Sequence, residues 1–120
     1  MADDAIRVNY TLTYANTTLS RTISPGQVAI DQTTIGFYGK VQAVGTGSTT
    51  LKVLDDTIVA DGVLYLKNLD ATNFVTYGSS LLEFKLKAGE IAHQRVTNNA
   101  VIQIKADTAT VKVDGVLFED

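Results

Sequence analysis

The feature that most constrains this chain is a period of two. Ile6, Val8, Tyr10, Leu12 and Tyr14 alternate with Arg7, Asn9, Thr11 and Thr13, which sends one set of side chains to a core and the other to water along an extended strand. Residues 19–23 repeat the alternation and meet Ser24-Pro25-Gly26-Gln27. There Pro25 presets φ for the first central position of a type II turn and Gly26 tolerates the positive φ of the second. No window carries apolar residues at i, i+3, i+4 and i+7 over the length a helix needs. β-branched residues are abundant throughout, as strands favour. Almost no helix is expected.

Further strands are predicted over residues 27–34, 37–44, 49–54, 57–60, 63–67, 74–77, 81–87, 91–96, 101–105, 109–114 and 116–118. Gly36, Gly45-Thr46-Gly47-Ser48, Asp55-Asp56, Asp61-Gly62 and further Gly, Asn, Asp or Ser residues separate them. Merging the shortest runs leaves about eight to ten short strands. Parallel strands need long crossovers, and none is visible. The expected fold is therefore all-β: an antiparallel β-sandwich, jelly-roll-like.

At 120 residues the chain has the length of one domain with one core, so 1–120 is expected to form a single sandwich with a short acidic tail at 1–5. Hydrophobic residues make up 45% and charged residues 19%, too apolar for disorder. Asp3, Asp4, Glu119 and Asp120 hold four of the thirteen acids, so ten Lys and Arg face nine acids in the body. A nearly neutral body without a basic run gives no footprint for nucleic acid. With no cysteine, neither a disulfide nor a thiolate metal site is available. The start carries two Asp and no apolar stretch, and no segment approaches the roughly 20 apolar residues of a membrane span. A protein made in the cytoplasm, without a membrane partner, is expected. Asn9-Tyr10-Thr11 and Asn16-Thr17-Thr18 fit the glycosylation pattern but without a secretory route read as chance in a Thr-rich chain.

The candidates for chemistry are few. Gly45-Thr46-Gly47-Ser48-Thr49-Thr50 lacks the Lys and the following helix of a phosphate loop and reads as a hairpin loop. His93 is the only histidine and shares a strand face with Ile91 and Arg95, so it cannot build a His-based metal site alone. Ser79 and Ser80 stand in no nucleophile elbow. Asp55-Asp56, or Glu83 with Glu90, would supply two carboxylates for glycoside hydrolysis but read as turn and surface residues. Ten Asp leave a calcium site open, though no spacing selects a ligand set. No catalytic, cofactor or metal residue is assigned, and no enzyme or small-molecule substrate is expected. Asn68-Leu69-Asp70-Ala71-Thr72-Asn73 suits a hairpin loop of Asx and Ser/Thr turns, or a contact loop for a partner or sugar. Leu86-Lys87-Ala88-Gly89-Glu90 reads as a turn with positive φ at Gly89.

Five stretches carry a family resemblance: Val28-Ala29-Ile30-Asp31-Gln32-Thr33, Val41-Gln42-Ala43-Val44-Gly45-Thr46, Leu64-Tyr65-Leu66-Lys67-Asn68-Leu69-Asp70-Ala71-Thr72-Asn73-Phe74-Val75, Leu86-Lys87-Ala88-Gly89-Glu90 and Ile104-Lys105-Ala106-Asp107-Thr108-Ala109. On these the chain resembles small β-sandwich structural proteins of tailed bacteriophage virions, such as capsid decoration (cement) proteins. The resemblance implies a virion component on the capsid surface, made in the bacterial host. It would pack against the major capsid protein and copies of itself as a homo-oligomer, with no catalytic residue; its interface is not marked by any motif. Two alternatives stand beside it. One is a head-to-tail or tail component. The other is a carbohydrate-binding module using Tyr38, Tyr65 and Tyr77, a reading weakened by the lack of Trp.

Overall fold

A computed structural model describes residues 5–15, 17–31, 37–51, 62–97 and 101–119. Among them are twelve strands and no helix: β1 (Ala5–Val8), β2 (Leu12–Ala15), β3 (Ser20–Ile23), β4 (Val28–Asp31), β5 (Phe37–Val44), β6 (Thr49–Thr50), β7 (Gly62–Asn68), β8 (Val75–Gly78), β9 (Phe84–Leu86), β10 (Ile91–Val96), β11 (Gln103–Ala106) and β12 (Val111–Glu119). All pairings are antiparallel. The chain divides into two compact units, residues 1–33 and 34–120.

The first unit is a nested two-stranded ribbon. β1 pairs with β4 and β2 with β3, so the expected continuous strand from Ile6 to Tyr14 is broken at residues 9–11. The Ser24-Pro25-Gly26-Gln27 segment does not reverse the chain, since β3 and β4 both run back along the strand they face. Val8 pairs with Val28 and Leu12 with Ile23, so residues 9–11 oppose residues 24–27 with one residue extra on the second side. This is the count of a β-bulge, and Gly26 takes the positive φ (82°). The extra residue has a purpose in the pattern. Odd-numbered Ile23 is Leu12's partner while even-numbered Val28 is Val8's, so both ladders match apolar with apolar.

The second unit has two four-stranded sheets, in the orders β10-β7-β12-β5 and β6-β11-β8-β9. The partnerships nest: β5 with β12, β6 with β11, β7 with β10 and β8 with β9. A long hairpin wrapped on itself gives that order, and the eight strands have the connectivity of a jelly roll. The fold is all-β and antiparallel, a sandwich. Its core draws on both sheets, with Val44, Leu64, Leu66, Val111, Val113 and Leu117 from the first and Val75, Tyr77, Leu86, Ile104 and Ala106 from the second. Each of the Val, Leu and Ile side chains among them contributes about 1.5–3 kcal/mol by leaving water.

Boundaries moved for local reasons. The expected strands 109–114 and 116–118 are one strand, β12, because Gly115 is buried in the middle of the sheet and paired with Leu66 on one side and Lys40 on the other. The expected strand 81–87 shortens to β9, because Leu82 N–H donates to Ser79 O (3.0 Å) and closes a turn. Leu82 itself adopts φ 53°. Residues 52–60, including Asp55-Asp56 and the expected strand 57–60, lie outside the described residues, as do Asn16, Gly36 and Asp61.

Candidate functional site

One end of the sandwich is tied together by its loops. Asn68, at the end of β7, is fully buried. Its Nδ2 donates to Asn73 O (2.9 Å) and Leu86 O (3.0 Å), and its Oδ1 accepts from Asp70 N–H (2.8 Å). Asp70 Oδ2 in turn accepts from the amides of Thr72 (3.0 Å) and Asn73 (2.7 Å). Those bonds, Asn73's first, hold the Asp70 carboxyl below its ordinary value. Gly89 N–H donates to Asn68 O and Asn68 N–H to Glu90 O, both at 3.0 Å, and Thr108 Oγ1 donates to Asn73 Oδ1 at 3.1 Å. The expected Asx geometry of residues 68–73 and the positive φ at Gly89 (77°) are both present. These bonds tie the 68–73 loop to the end of β9, to the β9–β10 turn and to Thr108.

The predicted chemical candidates are scattered over the fold. Gly45-Thr46-Gly47-Ser48 links β5 to β6, and Gly45 O accepts from Ala106 N–H (2.9 Å). His93 is exposed on β10 with Ile91 and Arg95 on the same face and Tyr65 opposite. Ser79 is committed to Glu83, its Oγ donating to that carboxylate and its N–H donating to Oε2 at 3.2 Å. The Ser79 hydroxyl is the largest influence lowering the Glu83 pKa. Glu90 accepts from Lys87 N–H (2.7 Å) in the β9–β10 turn. Among the described residues no group of three or more His, Cys, Asp or Glu is placed to hold a metal ion. Of the three tyrosines considered for sugar binding, Tyr77 is 4% exposed and stacks near Phe84 with centroids 5.4 Å apart. Tyr65 is half-buried, and the side chain of Tyr38 lies outside the described residues.

The two outer faces of the sandwich differ, and this asymmetry is the best candidate site. On the β6-β11-β8-β9 sheet the outward residues include Gln103, Lys105, Thr76 and Lys85, and Lys85 Nζ lies 3.9 Å from the Phe74 ring centroid. That is an ordinary solvated face. On the β10-β7-β12-β5 sheet, pairing brings His93, Tyr65, Val116 and Gly39 into one row across the strands. A second row runs Ile91, Lys67, Asp114 and Val41, while Arg95, Val63 and Phe118 form a third. Val41 is 56% and Ile91 64% exposed, whereas Val63 is 3% exposed. Tyr65, Val116 and Phe118 are intermediate. An outward face with this many apolar groups, charged mainly at Lys67 and Asp114 in the Ile91-to-Val41 row, at Lys112 beyond it and along the β10 edge, is what a docking surface requires.

Sequence reasoning missed this surface, although a signal was present. Val63-Leu64-Tyr65-Leu66 is a continuous apolar run, and after Asp114 the alternation of β12 gives way to Val116 and Phe118 on the outward set. Such runs mark strands with apolar groups on both faces. Compared with known proteins, the chain matches no protein-family model, no curated protein and no solved structure.

Proposed function

We propose that this chain is a non-enzymatic virion structural protein of a tailed bacteriophage, a capsid decoration (cement) protein that stabilises the shell by contacts with the major capsid protein and with copies of itself. The observation that carries the reading is the apolar outward face of the β10-β7-β12-β5 sheet, with Val41, Tyr65, Val116 and Phe118. A protein that works by packing needs such a face, and a solvated enzyme or carrier does not. The fold adds an analogy: jelly rolls recur in viral capsid proteins as well as in lectins and cupins. The five stretches that resemble phage structural proteins point the same way. Many copies on a symmetric shell would let modest contacts add by avidity.

The test is to mix the purified chain with phage capsids that lack it, sediment the particles and count bound copies by quantitative mass spectrometry. Binding on the order of hundreds of copies per particle, as a shell-covering lattice requires, supports decoration. A handful at one vertex assigns the protein to the head-to-tail or tail apparatus instead. Binding to a glycan array with no binding to capsids overturns the reading in favour of a carbohydrate-binding module.

A further inference from the structure

The β2–β3 hairpin is amphipathic and shows its apolar side to solvent. Directly paired residues project to the same face, so Leu12 with Ile23 and Tyr14 with Arg21 form one face, and Thr13 with Thr22 and Ala15 with Ser20 form the other. Leu12 is 58%, Tyr14 55% and Ile23 39% exposed, and the flanking Tyr10, Leu19 and Val28 are 52%, 60% and 48% exposed. Among the described side chains of residues 6–30 none is buried. A two-stranded ribbon is marginal in water; three or more strands sharing an apolar face are needed for independent stability.

We propose that this face is a homodimer contact, in which Leu12, Tyr14 and Ile23 pack on the same residues of a second copy. The inference rests on the reading above that the protein assembles with copies of itself, and it names the segment responsible. A second hairpin supplies the missing strands and turns two half-sandwiches into one two-layer, four-stranded element. A face that covers itself about a twofold axis needs no foreign complement. The area also suffices. A half-exposed large side chain offers on the order of 100 Å², so a contact that takes in the flanking Tyr10, Leu19 and Val28 as well as Leu12, Tyr14 and Ile23 offers at most about 600 Å² per copy, or about 1,200 Å² for the pair, the lower bound of a stable specific interface. Arg21, the charged member of the face, can lay its stem on the apolar surface and keep its guanidinium at the rim. The Thr-lined opposite face stays in water.

The experiment is sedimentation equilibrium of the full chain over a concentration series, alongside L12T/I23T, which keeps β propensity, and T13K/T22K on the opposite face. Wild type and T13K/T22K dimerise or assemble further, while L12T/I23T raises the midpoint concentration about tenfold or more. Because the chain has no cysteine, a second measurement bypasses folding losses. Under mild oxidant Y14C links into disulfide dimers and T13C does not. A wild-type chain that stays monomeric, assembly unchanged in L12T/I23T, or equal cross-linking of Y14C and T13C overturns the proposal. Capsid co-sedimentation of the same variants separates the two readings. If L12T/I23T loses capsid binding while wild type is a monomer, the hairpin docks on the shell, and decoration survives without the dimer contact. If the variants separate as proposed but no form binds capsids, the dimer contact stands and the decoration reading fails.

Discussion

Asn68 shows how much one buried polar side chain can organise. Its amide satisfies two carbonyls from different segments, and its oxygen takes an amide of the following loop. Asn68→Ala strands those groups, so it should cost about 2–4 kcal/mol in urea denaturation. Asp70 adds a pH dependence of definite sign. Its folded-state pKa lies below the ordinary value of 3.8, so its contribution is present above that value and lost as pH falls through the lower folded one. Asp70→Asn should therefore be less stable than wild type at pH 6, and denaturation at a series of pH values should show the gap closing under acid conditions. Gly62 illustrates what a turn-like Asp-Gly pair conceals. It begins β7, and a Cβ there would stand 2.6 Å from the backbone oxygen of Phe118. Gly62→Ala should destabilise by about 1–3 kcal/mol. The Asx loop was legible in the sequence because its bonds are local; the close approach of β12 to Gly62 was not, because nothing near Gly62 encodes it.

At the scale of elements, Pro25-Gly26 has the composition of a reversing turn and acts as a bulge. The glycine suits both, since a type II turn needs positive φ at its second central position and a bulge of the glycine type needs it at its first bulged residue; only the partner strand distinguishes them. Nothing lies within 4 Å of a Cβ built on Gly26, whose φ is +82°. Gly26→Ala therefore probes backbone conformation alone. It should cost about 1 kcal/mol, read as roughly fivefold faster amide hydrogen exchange in β2 to β4. In β12 the reverse occurred. Gly115 looks like a break between two short strands, yet ladders on both sides carry the strand through it. Glycine weakens a strand locally, and two flanking partners outweigh that.

At the scale of the whole molecule, core and surface should respond differently to substitution. Leu64 is fully buried between the sheets, and Leu64→Ala should cost about 2–5 kcal/mol. Val41 is 56% exposed, so Val41→Lys should change stability by less than about 0.5 kcal/mol and yet weaken capsid binding in co-sedimentation. The all-β class, the turn at Gly89 and the face shared by Ile91, His93 and Arg95 were determined by the sequence alone. Period two and positive φ are properties of a few consecutive residues. Only the tertiary structure decided that Val44 pairs with Val111, that the eight strands wrap as a jelly roll and that one sheet is apolar on its outer side. Backbone hydrogen bonds are alike for every partner, so the choice among partners rests on side chains that meet only once distant segments have come together.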